Sequence, residues 1–309
     1  MNGIIVIDKP EGFTSFDAVA VARRCTGEKK IGHTGTLDPM ATGVLPLLIG
    51  RAAKAADLLP DTTKTYTADF QFGIKTDTAD RTGALLQEKE SQITEAELKG
   101  VLPRFHGEIQ QVPPMYSAVS VGGKRLYSLA RQGIEVERAP RPVQIDTLSL
   151  LAFDEKRQTG KLHITCGKGT YIRTLIEDIA AALGNYGVMT ALRRTAACGF
   201  DEREAIIPER LKEAAAAGTI AAFLRPTELL FEDLPEVRLS PAQTVRFQNG
   251  GALDARRLKT EKPLLDGDKL RVYSDAHVFL AIGRYKQENH EVKLLKLFFM
   301  KDEQNGNNQ

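Results

Sequence analysis

The stretch GHTGTLDPMATGVLPLLIG, residues 32–50, sets glycines, threonines and apolar residues around a single carboxylate, Asp38. Its glycines, among them Gly35, let the backbone turn tightly or approach a ligand closely. Asp38 precedes a proline, and because this pair favours a turn we expect the acid on a loop. From these residues alone, Asp38 is either an ordinary turn aspartate beside a buried strand or an acid held on a loop for chemistry.

The composition is that of an ordinary globular protein. The chain has 309 residues, of which 42% are hydrophobic and 27% charged, and this length predicts two domains. No apolar run approaches the roughly 18 residues that cross a bilayer, so we expect no membrane segment. The opening MNGIIVIDKP is too short an apolar run for a secretory signal, which predicts a cytoplasmic location.

The cysteines and histidines indicate neither disulfides nor a metal. Cys25, Cys166 and Cys198 are far apart and odd in number, which is typical of a reducing compartment. The five histidines show no metal-ligand spacing, so we predict no metal site. The net charge of +2 is too small to indicate nucleic acid, but residues 236–309 hold 13 Lys and Arg against 10 Asp and Glu, a local charge of +3.

The first elements are a predicted strand and a predicted helix. Residues 3–7 form a continuous apolar run, typical of a strand buried on both faces. A helix should follow, capped by Thr14 or Ser15, with Phe16 and Val19 on its buried face.

Tyr66 begins a second predicted strand, in which apolar and polar residues alternate up to residue 72. That period places Tyr66 on the apolar face, so it is either a core tyrosine or a phenol that contacts a ligand. Asp77 and Asp80 follow in a polar loop, which we interpret as a turn region and not as a second catalytic pair.

A strongly periodic helix is predicted from 172 to 183, capped by Thr170 and ended by Gly184. Arg173 lies off its apolar stripe in the first turn, where a cation meets the positive end of the helix dipole at a cost of about 0.3 to 1 kcal/mol. An anionic partner would remove that cost. Glu177, one turn further on, offers a surface pair worth about 0.3 to 0.5 kcal/mol.

The last part of the chain predicts a small separate unit. Residues 231–235 form a candidate linker, and Ser240 begins a capping box with proline at the first helical position. The polar end, 304–309, is expected to be disordered. Strands are predicted at 264–265, 270–273, 277–285 and 292–300.

The stretch around Asp38 resembles the signature of the TruB family of tRNA pseudouridine synthases, and the resemblance extends over nearly the whole chain. It is carried there by His33, by Gly35 to Pro39 and by Ala41 to Pro46. Other segments that resemble motifs of this family are IIVIDKPEGFTS (4–15), KTY (64–66), QVPPMYSA (111–118), KGTYIR (168–173) and LRRT (192–195) with Gly199-Phe200.

The resemblance implies three catalytic residues. Asp38 falls at the position of the catalytic aspartate. Tyr66 matches the tyrosine that lies against the target base. Arg173 matches the arginine that pairs with the aspartate, which makes Asp38 the alternative partner to Glu177.

The resemblance also implies residues that bind the substrate. His33 corresponds to the group that fills the space left when the target base is turned out, the alternative being a loop histidine hydrogen-bonded to backbone. Leu192 would line the uracil pocket, although by itself it is typical of a core residue. Lys9 belongs to the same set, although a lysine in such a position is more often a solvated turn residue than a ligand contact. Gly35 and Tyr171 complete the set.

The fold implied by the resemblance is α+β. Residues 1–235 would form a pseudouridine synthase domain, a mixed and mainly antiparallel sheet flanked by helices. Residues 236–309 would form a small RNA-binding β-barrel of the PUA type. An insertion at about 103–145 would close over the RNA. Within it, five basic residues between 124 and 141 form a strip suited to phosphates or, equally, a solvated helix face.

The implied activity is isomerisation of a T-loop uridine in tRNA to pseudouridine, without a cofactor. The residues suit it, because breaking the N1 glycosidic bond and rejoining through C5 needs one carboxylate, no redox centre and a dry pocket. A tRNA-binding or RNA-folding protein without essential chemistry, and an aspartate-dependent nucleosidase, remain alternatives. The expected partner is tRNA, bound at its T-arm and acceptor end by a monomer with no protein partner.

Overall fold

The computed structural model describes residues 1–260 and 262–299, so the expectation of disorder at 304–309 lies outside the described residues. The strands are β1 (Gly3–Lys9), β2 (Ile31–His33), β3 (Thr42–Ile49), β4 (Lys64–Phe72), β5 (Ile74–Thr76), β6 (Leu85–Glu88), β7 (Gly107–Gln111), β8 (Ser120–Val121), β9 (Lys124–Arg125), β10 (Arg141–Asp154), β11 (Thr159–Cys166), β12 (Gly187–Ala197), β13 (Phe200–Asp201), β14 (Glu236–Arg238), β15 (Leu253–Asp254), β16 (Lys269–Tyr273), β17 (Phe279–Lys286) and β18 (Glu291–Leu297). The α-helices are α1 (Ser15–Thr26), α2 (Glu95–Val101), α3 (Leu126–Ala130), α4 (Ile172–Ala182), α5 (Pro208–Ala216) and α6 (Pro241–Gln248).

The main sheet has nine strands, in the order β1-β3-β12-β4-β11-β10-β7, with β2 beside β3 and β13 beside β12. Neighbours run antiparallel except β3 and β12, which pair in parallel. At that pair a glycine is required, because a Cβ on Gly43 would lie 2.2 Å from the carbonyl oxygen of Arg194. The predicted mixed, mainly antiparallel sheet is confirmed.

Strand β4 lies near the centre of this sheet and shows the predicted alternation. Tyr66, Ala68, Phe70 and Phe72 are buried, and the residues between them are partly exposed. Their buried face packs with helix α4 in one apolar cluster that includes Leu175. The face of β4 that carries Tyr66 therefore points at the helix that carries Arg173.

Helix α1 is present and Val19 is buried as predicted, but the prediction that Phe16 is buried is wrong. Thr14 caps it in a capping box, while Phe16 is 63% exposed. The buried positions are Ser15, Ala18, Val19, Val21 and Ala22, of which Ser15, Ala18, Val19 and Ala22 follow the helical spacing. The guanidinium of Arg23 covers the exposed Phe16 ring, 5.5 Å from its centre.

Helix α4 is present, but Thr170 does not cap it. The Thr170 hydroxyl donates to the carbonyl oxygen of Gly167, and Tyr171 occupies the N-cap position without a side-chain hydrogen bond to the helix. The Tyr171 amide instead donates to the side chain of Gln111, 3.0 Å away. The predicted end is correct, since Gly184 has the left-handed φ of 68° just after the helix.

The second sheet has five strands, in the order β14-β16-β17-β18-β15, and curls into a half-barrel. The predicted capping box at Ser240 and the strands predicted from 270 onward are confirmed within the described residues as α6, β16, β17 and β18. The strand predicted at 264–265 is wrong, because these residues precede a turn in which Asp268 accepts the Leu265 amide.

The two sheets share an apolar cluster. Phe231 is fully buried, with its ring centre 6.2 Å from that of Phe279 and 5.8 Å from that of Phe298. Leu48 and Ala52 of the first part of the chain belong to the same cluster. The prediction that 231–235 is a linker is therefore wrong at its first residue, which joins the two sheets into one core.

Two further features bear on function. Within the described ranges, no helix is long and apolar enough to cross a membrane. No group of three or more His, Cys, Asp and Glu in the described part of the chain is arranged to hold a metal ion.

We predict that Phe231→Ala lowers the free energy of unfolding by about 3 to 5 kcal/mol, because it opens a cavity in the core shared by the two sheets. Urea unfolding measures this change. Phe16→Ala is the matched control, since the same truncation at an exposed site should cost about 0.5 kcal/mol or less. Equal costs at both positions would show that the shared core adds no stability.

Candidate active site

Asp38 lies on the loop between β2 and β3, as predicted, and neighbouring segments hold that loop. The Ser15 hydroxyl accepts the Leu37 amide at 2.8 Å and donates to the Leu37 carbonyl at 3.2 Å. The Gly12 amide donates to the carbonyl of Pro39 at 2.8 Å. Because these contacts fix the residues on both sides of Asp38, its backbone has little freedom.

Lys9, at the end of β1, also holds the Asp38 loop in place. It is fully buried, and its ammonium donates to the carbonyls of Phe13 at 2.5 Å, Pro10 at 2.9 Å and Pro39 at 3.3 Å. Burial lowers the pKa of Lys9 to about 8, although nearby Asp38 opposes that shift. The alternative of a solvated turn residue is wrong. Its position favours support of the Asp38 loop over direct contact with a substrate.

Arg173 is the buried centre of the site. Its Nη2 lies 3.0 Å from a carboxylate oxygen of Asp38, and its Nε lies 3.8 Å from one of Asp80. Nη1 donates to the Thr78 carbonyl at 2.9 Å, and Nη2 also donates to the Tyr116 carbonyl at 2.8 Å. The side chain of Arg173 is 6% exposed and that of Asp38 37% exposed, so the guanidinium is buried while the aspartate remains reachable.

Asp80 lies in the turn region that the sequence predicted, but the sequence did not indicate that its carboxylate faces Arg173. One of its carboxylate oxygens accepts the Thr78 hydroxyl at 2.8 Å, the Thr82 amide at 2.9 Å and the Thr82 hydroxyl at 2.6 Å. The other oxygen faces Arg173. Two threonines placed symmetrically around an aspartate, at −2 and +2, are the local signal that could have indicated a fixed carboxylate instead of an ordinary turn.

Among the described residues, the ion pairs of Arg173 are with Asp38 and Asp80. Glu177, the alternative partner, is partly buried one turn along α4, and burial raises its pKa. The cation in the first turn of α4 thus finds its anions across the site and not on its own helix.

A cavity of about 300 Å³ lies in front of Asp38 and Arg173. Its other walls come from the turn before α4 and from residues 116–118. Six of the eight predicted site residues line it: Gly35, Asp38, Tyr66, Tyr171, Arg173 and Leu192. In the described part of the chain, the other two predicted residues, His33 and Lys9, are not among the residues that line the cavity.

Tyr66 and Leu192 are at once core residues and cavity walls. They stand on the adjacent strands β4 and β12 and are 6% and 8% exposed. Burial raises the pKa of the Tyr66 phenol to about 12, so the phenol stays protonated at neutral pH. A neutral aromatic ring and a leucine suit a flat, uncharged base.

His33 ends β2 and so is not the loop histidine of the alternative interpretation. Its Nδ1 is buried and has no hydrogen-bond partner in the described part of the chain. Burial, together with the nearby Arg194, lowers the pKa of His33, so its ring is mainly neutral at pH 7.

Known proteins of similar structure define the fold class. A chain in the crystal structure of a Cbf5-Nop10-Gar1 complex has a TM-score of 0.75 and 25% identity, with 97% of this chain and 86% of that chain covered. A chain in an archaeal box H/ACA sRNP Nop10-Cbf5 complex has a TM-score of 0.74 and 23% identity, covering 97% and 87%. The fold is that of pseudouridine synthases.

Sequence comparisons give the family. The family model of the TruB pseudouridylate synthase N-terminal domain matches residues 23–172, and two TruB C-terminal models match 173–232 and 235–292. A tRNA pseudouridine synthase B of Azoarcus sp. (strain BH72) is 42% identical, covering 96% of this chain and 95% of its own. That of Ralstonia pickettii (strain 12J) is 44% identical, covering 88% and 85%. The chain belongs to the TruB family.

We predict that Asp80→Asn lowers the free energy of unfolding by about 1 to 3 kcal/mol, because it weakens buried hydrogen bonds to a charged group. Asp38→Asn should cost about 1 kcal/mol or less, since that carboxylate is more than a third exposed and its charge is screened by water. Urea unfolding of both variants checks the contrast. An equal or larger cost at Asp38 would contradict the assignment of Asp80 as the buried anchor.

Proposed function

We propose that this protein converts a uridine of tRNA to pseudouridine, with Asp38 as the catalytic carboxylate. The observation that carries the proposal is the reachable Asp38 held 3.0 Å from buried Arg173, on the wall of a cavity of about 300 Å³. Relatives that are 42% and 44% identical are tRNA pseudouridine synthases B. This likeness supports the same substrate class here.

The proposed chemistry needs one carboxylate beside C1′ and C6 of the target uridine. The N1 glycosidic bond breaks, the detached uracil turns, and C5 bonds to C1′, while the hydrogen on C5 leaves as a proton and N1 takes up a proton. Asp38 is placed for this because its loop is clamped and Arg173 fixes its orientation. The neutral Tyr66 ring and Leu192 would hold the free base and keep water out.

The number of acids supports isomerisation over hydrolysis. Glycoside hydrolysis by two carboxylates needs a second acid about 5 to 9.5 Å from the first, both facing the bond. Within the described part of the chain, Asp38 is the only carboxylate among the residues that line the cavity. Asp80 is buried behind Arg173, where two threonines and the guanidinium occupy its oxygens.

The target base has to leave its stack, which costs a few kcal/mol. We propose that the His33 ring fills the space that the target base leaves in the RNA stack, since this ring is mainly neutral and lies next to the Asp38 loop. Gly35 and Tyr171, which both line the cavity, would contact the extruded nucleotide.

We further propose that the two parts of the chain bind different parts of tRNA. Residues 1–235 would act on the T-loop, with the insertion at about 103–145 closing over the RNA. Residues 236–309 would form a PUA-like unit that holds the acceptor end, which its +3 charge supports. The protein would work as a monomer in the cytoplasm, where tRNA is.

We predict that Asp38→Asn retains RNA binding but loses at least 100-fold in turnover, because the nearly isosteric amide cannot act as the carboxylate. Tritium release from C5-labelled uridine in tRNA, combined with nucleoside analysis, measures this. Asp57→Asn, at an exposed position, is the control and should behave like the parent.

Two results would contradict the assignment. Free uracil and an abasic RNA from the parent protein would indicate a nucleosidase. Tight tRNA binding by the parent without tritium release would indicate a binding or folding protein.

We predict that replacing four exposed lysines of residues 236–309 by glutamine flattens the salt dependence of tRNA binding. Each lost phosphate contact on duplex removes about 0.9 from the log-log slope. A T-arm hairpin without the acceptor end should bind parent and variant alike in a salt titration. An equal loss with the hairpin would place these lysines on the T-arm instead. The four are Lys259, Lys262, Lys286 and Lys293.

A further inference from the structure

Lys64 lies in the cavity with Asp38 and has no role in the chemistry above. It is the first residue of β4 and is 9% exposed, and its ammonium donates to the Thr62 carbonyl at 2.7 Å. It lies beneath Gly35, where a Cβ would be 2.9 Å from Cε of Lys64 and 3.7 Å from its Nζ. The absent side chain at Gly35 leaves the ammonium open to a ligand.

A second buried cation stands behind the first. Arg194 is fully buried, and its Nε donates to the Val44 carbonyl at 2.6 Å while its Nη2 donates to the Gly35 carbonyl at 3.2 Å. Its Nη1 is buried without a hydrogen-bond partner in the described residues, 3.7 Å from where a Gly35 Cβ would be. Two cations therefore converge on the same side of the Asp38 loop.

No carboxylate of the described residues lies within 4.0 Å of either cation to form an ion pair. Burial, with the charge of Arg194 adding to it, lowers the pKa of Lys64, although the charge of Asp61, which makes no ion pair with Lys64, opposes that shift. A buried cation without a counter-ion is costly, so an anion that enters the cavity would be attracted there. Since uracil and ribose are neutral, the anion that RNA supplies is its phosphodiester.

We propose that Lys64 binds a backbone phosphate adjoining the target uridine, with Arg194 behind it adding positive potential. The proposal rests on the function proposed above and names the part of the RNA that this end of the cavity takes. A contact with a uracil carbonyl is the weaker choice, because a neutral acceptor would leave both positive charges uncompensated.

The spacing along β4 supports this assignment. Lys64 and Tyr66 are two residues apart and point to the same face, about 6 to 7 Å from one another along the strand. A nucleotide whose base lies on Tyr66 would bring its own or a neighbouring phosphate to that distance. The site would thus hold the extruded nucleotide at its base and at its backbone.

The first test is a salt titration of T-arm hairpin binding by the parent, Lys64→Met and Lys64→Arg. Lys64→Met should reduce the log-log slope by about 0.7, the loss expected for one phosphate contact on an unpaired strand, and Lys64→Arg should keep it. Lys161→Met is the matched control, since it removes a charge from neighbouring β11 beside Asp69 and should leave the slope unchanged.

The second test uses the parent protein, so it does not depend on the folding of any variant. Hairpins that carry a neutral methylphosphonate at the 5′ or the 3′ phosphate of the target uridine are titrated in the same way. One of them should lose about 0.7 in slope with the parent, and Lys64→Met should show no further loss with that RNA.

Two outcomes would overturn the inference. One is a parent slope that neither neutral phosphate changes. The other is a folded Lys64→Met that binds more weakly at an unchanged slope, which would assign Lys64 to the base. Both leave the proposed function intact, because pseudouridine formation by the parent is measured separately.

Discussion

The burial of Arg173 between two aspartates is the interaction on which the site depends. A guanidinium removed from water costs several kcal/mol unless anions and hydrogen-bond acceptors surround it. Here Asp80 and two backbone carbonyls hold it from within, and Asp38 completes the set from the cavity side. Because the inner partners fix Arg173, they also fix the direction in which Asp38 points. The carboxylate is thereby oriented without being buried.

Arg173 can orient Asp38 only if the loop that carries Asp38 is also fixed on its other side. Ser15 and Lys9 bind the residues that flank Asp38, and both come from the first fifteen residues of the chain. The loop then enters β3 at Gly43, which touches the backbone of β12 at Arg194. The N-terminal strand, the loop and β12 therefore form one unit, although they are far apart in sequence. Preorganisation of this kind is what places a reacting group accurately.

Local patterns in the sequence predicted the helices, strands and loops better than they predicted which side chains contact one another. Alternation placed Tyr66 on the buried face of a strand, and a proline placed Asp38 on a loop, because each depends on immediate neighbours. The contact of Asp80 with Arg173 and the burial of Lys9 were not predicted, because both are set by tertiary contacts. The partner of Asp80 is 93 residues away, at Arg173. Phe231 was assigned to a linker for the same reason, since its aromatic neighbours belong to the second sheet.

The charges of the site favour an anionic substrate even before RNA binds. Four basic side chains lie around the Asp38 loop, and in the described part of the chain only two carboxylates form ion pairs with any of them, so this poorly solvated region holds more cations than paired anions. Such an excess destabilises the folded protein and is relieved when an anion enters, so binding energy is available there that a solvated surface lysine could not supply. The unfavourable charge therefore lies where the substrate would compensate it. Functional sites commonly keep residues that lower the stability of the protein in this way. The basic residues are Lys9, Lys64, Arg173 and Arg194, and the acids that pair with Arg173 are Asp38 and Asp80.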